Sequence, residues 1–297
     1  MKALIDGDVL VYRCGFAAQH TWYEVYEKVN EHLGWCAKFA YKKDALKYVE
    51  QNNKDDYIIK TDITIEPLSH AITNVNNVLQ SIMTNTGADS HTIFLSGKDN
   101  YREKIATILP YKGNRDPTHK PVYYEDIRNY LTSKCGALIV DGMEADDALG
   151  IEQIEGMYNL DPETQDQPSN NKNTIICTID KDLTMIPGHH YNLDSKKITF
   201  VSEIDGYRNF FRQVLKGDSS DNIPGLFKLV GIKCTRDILE PLVYMESVRE
   251  MRAYVEEVYL IHRGFNSSEA MMQKVEEVMK LLWISRTYPN DIKEFIK

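Results

Sequence analysis

Three short apolar runs interrupt an otherwise polar chain: Ala3-Leu4-Ile5, Ala137-Leu138-Ile139-Val140 and Thr174-Ile175-Ile176-Cys177-Thr178-Ile179. Uninterrupted runs of this length predict buried strands of a parallel sheet. From His70 to Thr84, Ile72, Val75, Val78, Leu79 and Ile82 recur at helical spacing, and Thr92-Ile93-Phe94-Leu95 follows as the next strand. The pattern predicts a helix crossing between parallel strands. Tyr123 to Lys134 predicts a helix leading into the strand that ends at Asp141, and Asp161 to Asn173, rich in Asp, Gln, Pro, Ser and Asn, predicts a surface loop. Residues 22 to 69 are mixed. Ala45, Leu46, Tyr48 and Val49 point to part of a helix, Tyr57-Ile58-Ile59 and Ile63-Thr64-Ile65 to edge strands, and no chemical motif appears. From about Glu203 the chain turns helical to its end, most clearly over Val248 to His262 and Ser268 to Ile284. There is no internal repeat and no low-complexity tract.

Acidic residues cluster at or just beyond the ends of the apolar runs: Asp6 and Asp8, then Glu144, Asp146 and Asp147, then Asp180 and Asp182, joined further on by Asp218 and Asp221. In open α/β sheets the site lies at the carboxyl ends of the strands. Carboxylates gathered there repel one another and hold protons unless divalent cations neutralise them, so the pattern predicts a metal site. In an extended segment side chains two apart share a face, which lets Asp6 with Asp8, and Asp180 with Asp182, each point at one ion. Glu144, Asp146 and Asp147 converge only if Glu144 precedes a helix and the two aspartates occupy its first turn, where the helix dipole also favours carboxylates.

With 297 residues the chain can bury a full core, and 42% hydrophobic with 27% charged residues is ordinary for a globular protein. No apolar stretch approaches the ~20 residues that span a bilayer and no signal-peptide pattern opens the chain, which points to the cytoplasm. Five cysteines, Cys14, Cys36, Cys135, Cys177 and Cys234, are odd in number and far apart, as reduced thiols are. The net charge of −9 argues against a nucleic-acid partner in general. Two divalent ions among nine clustered acids would cancel much of it, and local distribution then decides.

Ser96 to Val122 supplies such a local excess, with Lys98, Arg102, Lys104, Lys112, Arg115 and Lys120 interleaved with Tyr101 and Tyr111 beside a strand end. Asp218-Ser-Ser-Asp221 precedes Asn222-Ile-Pro-Gly225 and later Gly231-Ile-Lys233. Two glycine-marked turns flanking short helical stretches form a hairpin whose amides can accept phosphates, with Lys228 and Lys233 adding charge. His189-His190 after Pro187-Gly188 reads as a turn, and Tyr244, Tyr254 and Tyr259 as helix packing.

Five segments, Leu4-Ile-Asp6-Gly, Pro110-Tyr111-Lys112-Gly113-Asn114-Arg115-Asp116, Glu144-Ala-Asp146-Asp147, Thr178-Ile-Asp180-Lys-Asp182 and Gly217-Asp218-Ser-Ser-Asp221-Asn222-Ile223-Pro-Gly225, appear in an order that resembles the structure-specific 5′-nucleases, the flap endonucleases and phage-type 5′→3′ exonucleases. The resemblance covers Lys2 to about Lys233, leaving residues 22 to 69 and the C-terminal helices unmatched. It implies an α/β, PIN-like core with a mostly parallel sheet over residues 1–205, including an arch at 97–122, and a helical DNA-binding region over 206–297 with a helix–three-turn–helix near 214–236. It also implies that Asp6, Glu144, Asp146, Asp147, Asp180, Asp182 and Asp221 bind two Mg²⁺ or Mn²⁺ ions supported by Asp218. Lys112 and Arg115 would act on the scissile phosphate, Tyr111 would stack on a base, and Gly225, Lys228, Gly231 and Lys233 would hold duplex DNA. A K⁺ ion at the helix–three-turn–helix, RNA in RNA/DNA hybrids as a second substrate, a monomeric state, and a phage role in DNA replication and primer removal are further implications. Two hard cations ~4 Å apart can generate a hydroxide on one side and stabilise the departing 3′ oxygen on the other.

Two departures stand out. The family's carboxylate at the end of the strand before the arch is replaced by Phe94-Leu95-Ser96-Gly97, with Asp8 a candidate substitute, and the compact Gly-x-Gly hairpin after Gly225 is lengthened to Leu226-Phe-Lys-Leu-Val-Gly231. Two other readings stay open. A haloacid-dehalogenase-like phosphatase would use Asp6-Gly-Asp8, Ser96 and Gly217-Asp218-Ser-Ser-Asp221, but gives no task to Glu144-Ala-Asp146-Asp147 or Asp180-Lys-Asp182. A DNA-junction protein with this fold and no cleavage would explain the missing carboxylate.

Overall fold

The first apolar run becomes strand β1 (Lys2–Asp6), with Ala3, Leu4 and Ile5 wholly buried. Helix α1 (Gly7–Ala17) follows, then β2 (Gln19–Val29), β3 (His32–Phe39), α2 (Lys42–Gln51), β4 (Tyr57–Ile65) and α3 (Leu68–Thr86). Next come β5 (Ser90–Ser96), α4 (Tyr101–Ile105), α5 (Tyr124–Cys135), β6 (Leu138–Val140), α6 (Ala145–Tyr158) and β7 (Thr174–Thr178). The chain continues through β8 (Gly188–Asn192), β9 (Ile198–Val201), α7 (Glu203–Lys216), β10 (Gly217–Asp218), β11 (Ile223–Pro224), α8 (Leu226–Val230), α9 (Arg236–Leu239), α10 (Val248–Ile261) and α11 (Ser268–Leu282). The structure is a computed structural model that describes residues 1–29, 32–116, 119–158, 173–261 and 268–287. The loop expected over Asp161 to Asn173 lies outside them save for its last residue.

Two compact units divide the chain, one of Met1–Val9, Leu79–His119 and Leu131–Lys297, the other of Leu10–Val78 and Lys120–Tyr130. They do not follow the expected division at residue 205, because α7 packs on α10, on α11 and on the 3₁₀ turn Asp182–Met185 in the same unit as the main sheet.

That sheet has the order β6-β5-β1-β7-β8-β9. All neighbours run parallel except β8 and β9. The chain builds outward from β1 to β5 and β6, then returns to the other side of β1 for β7. This reversal places a crevice at the carboxyl ends of β1 and β7, where open sheets bind their ligands. Helix α6 lies against β1, β5 and β7, and Ala148, Leu149 and Ile151 on it are buried. Gly217 and Gly225 close the β10–β11 hairpin. A Cβ on Gly217 would run into the amide of Gly225, and one on Gly225 into the carbonyl of Lys216.

The second unit holds the antiparallel sheet β3-β2-β4, with α2 packed on it through Val25, Ala45 and Val49. Residues 57–65 form one strand rather than two separate edge strands, because Tyr57 to Ile65 pair without interruption along β2. The β2–β3 hairpin, which carried no clear sequence signal, has a register shift between Val25 and Tyr26.

Other expectations are also corrected. The run at 138–140 is an edge strand, with Leu138 and Ile139 about half exposed. His189-His190 lies in β8 and not in a turn, and His190 Nε2 bonds the carbonyl of Ile186 at 2.8 Å. Tyr254 and Tyr259 donate to Ile238 O and Val214 O, as helix packing requires, whereas Tyr244 is 75% exposed. All five cysteines are free. Among the described residues no helix is long and apolar enough to cross a membrane.

Candidate active site

Asp6 ends β1 and is 3% exposed. It accepts the Val9 N–H at 3.0 Å and the Thr178 hydroxyl at 2.8 Å. Burial pushes its carboxyl up to about 7, with the charges of Asp8 and Asp180 adding to the effect and those two hydrogen bonds opposing it. Asp8 does not share an extended segment with Asp6. It sits in the first turn of α1, because the strand converts to helix at Gly7, and its Oδ2 accepts the Ser96 N–H at 3.0 Å.

The second acidic group takes the arrangement that convergence required. Glu144 precedes α6, and Asp146 and Asp147 fill its first turn. Ser96, which stands in the missing carboxylate's place, accepts the Ala145 N–H with its hydroxyl at 3.0 Å and so secures the start of this helix. The two aspartates then part ways. Asp146 accepts no hydrogen bond among the described residues, and burial, reinforced by Asp6, Asp180 and Glu144, holds its carboxyl well above the usual range.

Asp147 is wholly buried and grips the Arg102 guanidinium at two points, 2.6 and 2.9 Å. It also accepts the N–H groups of Ser285 at 2.9 Å and Glu144 at 3.1 Å. Burial alone would raise Asp147, but Arg102 and these bonds outweigh it and hold it below its usual value. Arg102, 2% exposed, spends its remaining donors on the carbonyls of Leu281 and Trp283. Asp147 is thus paired with Arg102 and bonded on both oxygens. Arg102 lay in the basic stretch of the sequence, where nothing distinguished it from solvated neighbours.

Asp180 and Asp182 are not an extended pair either. β7 stops at Thr178, and Asp182 begins the 3₁₀ turn with its N–H on Asp180 Oδ1 at 2.8 Å. Burial raises both; Asp182 reaches about 7, with the Asp180 charge and a hydrogen bond to Asp218 contributing. Asp218 is lowered, because the Ser220 hydroxyl, Asp182 and the N–H groups of Ser220 and Asp221 together outweigh its burial.

Two basic residues of the 97–122 segment, Lys112 and Arg115, pair with the carboxylates. Helix α4 is the segment's one helix among the described residues, and turns make up the rest. Lys112 Nζ is ion-paired to Glu144 and lies 3.7 Å from Asp221, and Arg115 is ion-paired to Asp221. Tyr111 is 9% exposed, its hydroxyl 2.9 Å from Glu144 and 2.7 Å from Asp221, with Lys112 over its ring at 5.0 Å. Gly225 caps the start of α8, and Gly231 ends it in the left-handed conformation at φ 75°. Lys228 reaches Asn222 Oδ1 at 3.3 Å, and Lys233 is exposed beyond the helix.

The nine acids therefore divide. Glu144, Asp147 and Asp221 are ion-paired with Lys112, Arg102 and Arg115, whereas Asp6, Asp146, Asp180 and Asp182 have no ion-pair partner among the described residues and are raised chiefly by burial. Glu144, Asp146, Asp182, Asp218 and Asp221 line one small cavity of about 30 Å³, room for about one ion or water. Hard oxygen donors in this number suit Mg²⁺ or Mn²⁺. Among the described residues, no three such side chains are drawn close enough to hold an ion as they stand. Lys112 and Arg115 occupy the counter-ion positions.

No protein-family model and no curated protein sequence matches the chain. Among solved structures it is similar to the bacteriophage T5 D15 flap endonuclease, crystallised as a pseudo-enzyme–product complex with DNA and metal ions, at 14% identity and a TM-score of 0.50 over 99% of this chain and 96% of that one. T5 D15 protein co-crystallised with metal ions gives 12% identity and a TM-score of 0.42, and a T5 5′-exonuclease mutant gives 11% and 0.40, each covering 95% of this chain and 99% of its own. The mostly parallel sheet, the acids at its switch point and the first of these likenesses agree, and the chain has the fold of the structure-specific 5′-nucleases.

Proposed function

We propose that the protein is a metal-dependent 5′→3′ exonuclease and flap endonuclease that hydrolyses phosphodiester bonds at 5′ ends, nicks, gaps or flaps of duplex DNA, leaving 5′-phosphate and 3′-hydroxyl. One observation carries the reading: four carboxylates without an ion-pair partner among the described residues, Asp6, Asp146, Asp180 and Asp182, are raised, chiefly by burial, at the carboxyl ends of β1 and β7 and at the start of α6. Retaining buried, mutually repelling acids is costly unless function uses them. They and the neighbouring Glu144 and Asp221, with Asp218 in support, would hold two Mg²⁺ or Mn²⁺ ions. Such ions supply a water ionised near neutral pH and charge stabilisation for the leaving oxygen.

Lys112 and Arg115, released from Glu144 and Asp221 as these turn to the metal, would take the non-bridging oxygens of the scissile phosphate. Gly225, Lys228, Gly231 and Lys233, within the helical region 206–297, would bind the duplex through backbone amides and ammonium groups, with K⁺ at the same turns. RNA in hybrid duplexes, a monomeric state and a role in phage replication and primer removal follow the same reading. The T5 relative's complex with DNA and metal ions supports the choice of substrate and cofactor.

The phosphatase reading gives no task to Asp146 and Asp180, which stand with Asp6 in one cluster of interacting charges. A protein that binds DNA without cutting is favoured by one observation, that among the described residues no three carboxylates converge as they stand. Labelled linear, nicked and flapped duplexes incubated with Mg²⁺ decide among these. Wild type should cut and Asp180→Ala should lose at least a hundredfold in rate. Equal activity in the variant would overturn the site, and duplex bound in EDTA but left intact with Mg²⁺ and Mn²⁺ would establish the non-cleaving reading.

A further inference from the structure

Beside the carboxylates lies a larger cavity of about 270 Å³, formed where α7 packs against the 3₁₀ turn after β7. Asp182 and Asp218 line both cavities, so the two adjoin at these side chains. Three cations also line the larger one: Lys181, Arg212 and Lys216. Arg212 and Lys216 are one turn apart on α7 and therefore present on one face, while Lys181 arrives from the start of the turn. Among the described residues the side chains of the half-buried Arg212 and the exposed Lys181 and Lys216 make no hydrogen bond or ion pair, although their neighbours do. Asn209 donates to Thr184 O at 3.0 Å, and Gln213 bonds Asp182.

Most telling is Arg212 Nε, which is buried and has no acceptor. A buried charged donor without a partner marks a place where an acceptor from outside completes the structure. Three unpaired cations converging on a polar cavity of this size select a tetrahedral oxyanion over an apolar ligand. Guanidinium and ammonium groups together are the donors that phosphate contacts use.

We propose that this cavity is a phosphate pocket that takes the nucleotide phosphate next to the scissile one. The inference rests on the nuclease reading for its choice of ligand. Lys181, Arg212 and Lys216 would fix the register of the strand, so that the bond to be cut lies over the adjoining carboxylates. The phosphate can come from the backbone of the bound duplex or from the 5′-mononucleotide product.

The test uses the full chain and the double variant Arg212→Gln/Lys216→Gln, with thermal melting to establish that the variant is folded. Binding to a nicked duplex in EDTA is measured from 50 to 200 mM salt. Loss of one phosphate contact should lower the slope of log affinity against log salt by about 0.9, and weaken binding alike for unrelated sequences. In a second arm, thymidine 5′-monophosphate is titrated into both proteins with thymidine as the control. Tighter binding of the monophosphate to wild type alone identifies the product phosphate as an occupant, and a changed salt slope identifies the backbone phosphate. Equal slopes and equal nucleotide binding in a folded variant would overturn the pocket. If wild type binds no duplex, the nuclease reading falls, and the nucleotide arm still decides the pocket.

Discussion

Replacing Asp147 with Asn takes one charge out of a site with no water to compensate for it. Asp147 is 0% and Arg102 2% exposed, and the two share hydrogen bonds of 2.6 and 2.9 Å. Two unit charges about 4 Å apart interact by about 4 kcal/mol at an effective dielectric of about 20, and removing one partner of a buried pair costs roughly 3–5 kcal/mol because the other is left uncompensated. Glu144, 3.8 Å from Arg102, offsets part of this, which favours the lower end of that range. At about 2–4 °C per kcal/mol, a loss of about 3 kcal/mol lowers Tm by roughly 6–12 °C. Since Arg102 holds the folded pKa of Asp147 below its unfolded value, the pair's contribution is complete above about pH 4 and is lost only as pH falls through the lowered value. Melting at pH 7 in EDTA therefore measures it in full.

Asp146→Asn is the internal comparison. Its carboxylate has no hydrogen-bond partner and is penalised by burial and three neighbouring acids, so the metal-free variant should melt at or above the wild-type temperature while losing Mg²⁺ binding by calorimetry. Asp147→Asn, studied below its melting point, should keep Mg²⁺ binding. The reasoning is refuted if Asp147→Asn melts with wild type yet no longer binds Mg²⁺, for then Asp147 is a ligand and Arg102 a bystander.

The remaining predictions concern pH and Tyr111. Because Asp6 and Asp182 are raised to about 7, the folded state retains protons that the unfolded chain releases from about pH 4. Stability in EDTA should therefore fall as pH rises from 5 to 8, and the Mg²⁺-induced rise in Tm should grow over the same interval; parallel curves with and without Mg²⁺ would remove the raised acids from the metal site. Tyr111→Phe leaves a ring for stacking but deprives Glu144 and Asp221 of their shared hydroxyl. It should cut kcat on flapped duplex about tenfold, whereas unchanged kinetics would return Tyr111 to a stacking role.

How much of this was legible in the chain depended on how local each signal was. β1, β7, α3, α10 and α11 announce themselves through apolar runs or helical spacing, and the structure has them within a few residues. The run at 138–140 looks the same in sequence, yet as an edge strand it leaves Leu138 and Ile139 half exposed; position in the sheet is not encoded in the run. In β2 a single buried Val25 stands among half-exposed Trp22, Tyr23, Glu24 and Tyr26, so no apolar face stands out. The acids show the same limit. Their place at strand ends identified the site, but which of them would be neutralised depended on Arg102, 45 residues from Asp147, and on the chain ends of α11 that enclose the pair. Spacing alone made Asp146 and Asp147 equivalent, and only packing separates them.

The central claim is that the clustered acids support metal-dependent cutting at 5′ ends. A nicked duplex labelled at the 5′ end exposed at the nick, incubated with Mg²⁺ and in parallel with EDTA, tests it by the length and end chemistry of the labelled product. The account predicts short labelled fragments ending in 3′-hydroxyl, formed with Mg²⁺ and not with EDTA. Release of inorganic phosphate from an unshortened strand, or intact duplex in both reactions, would contradict it.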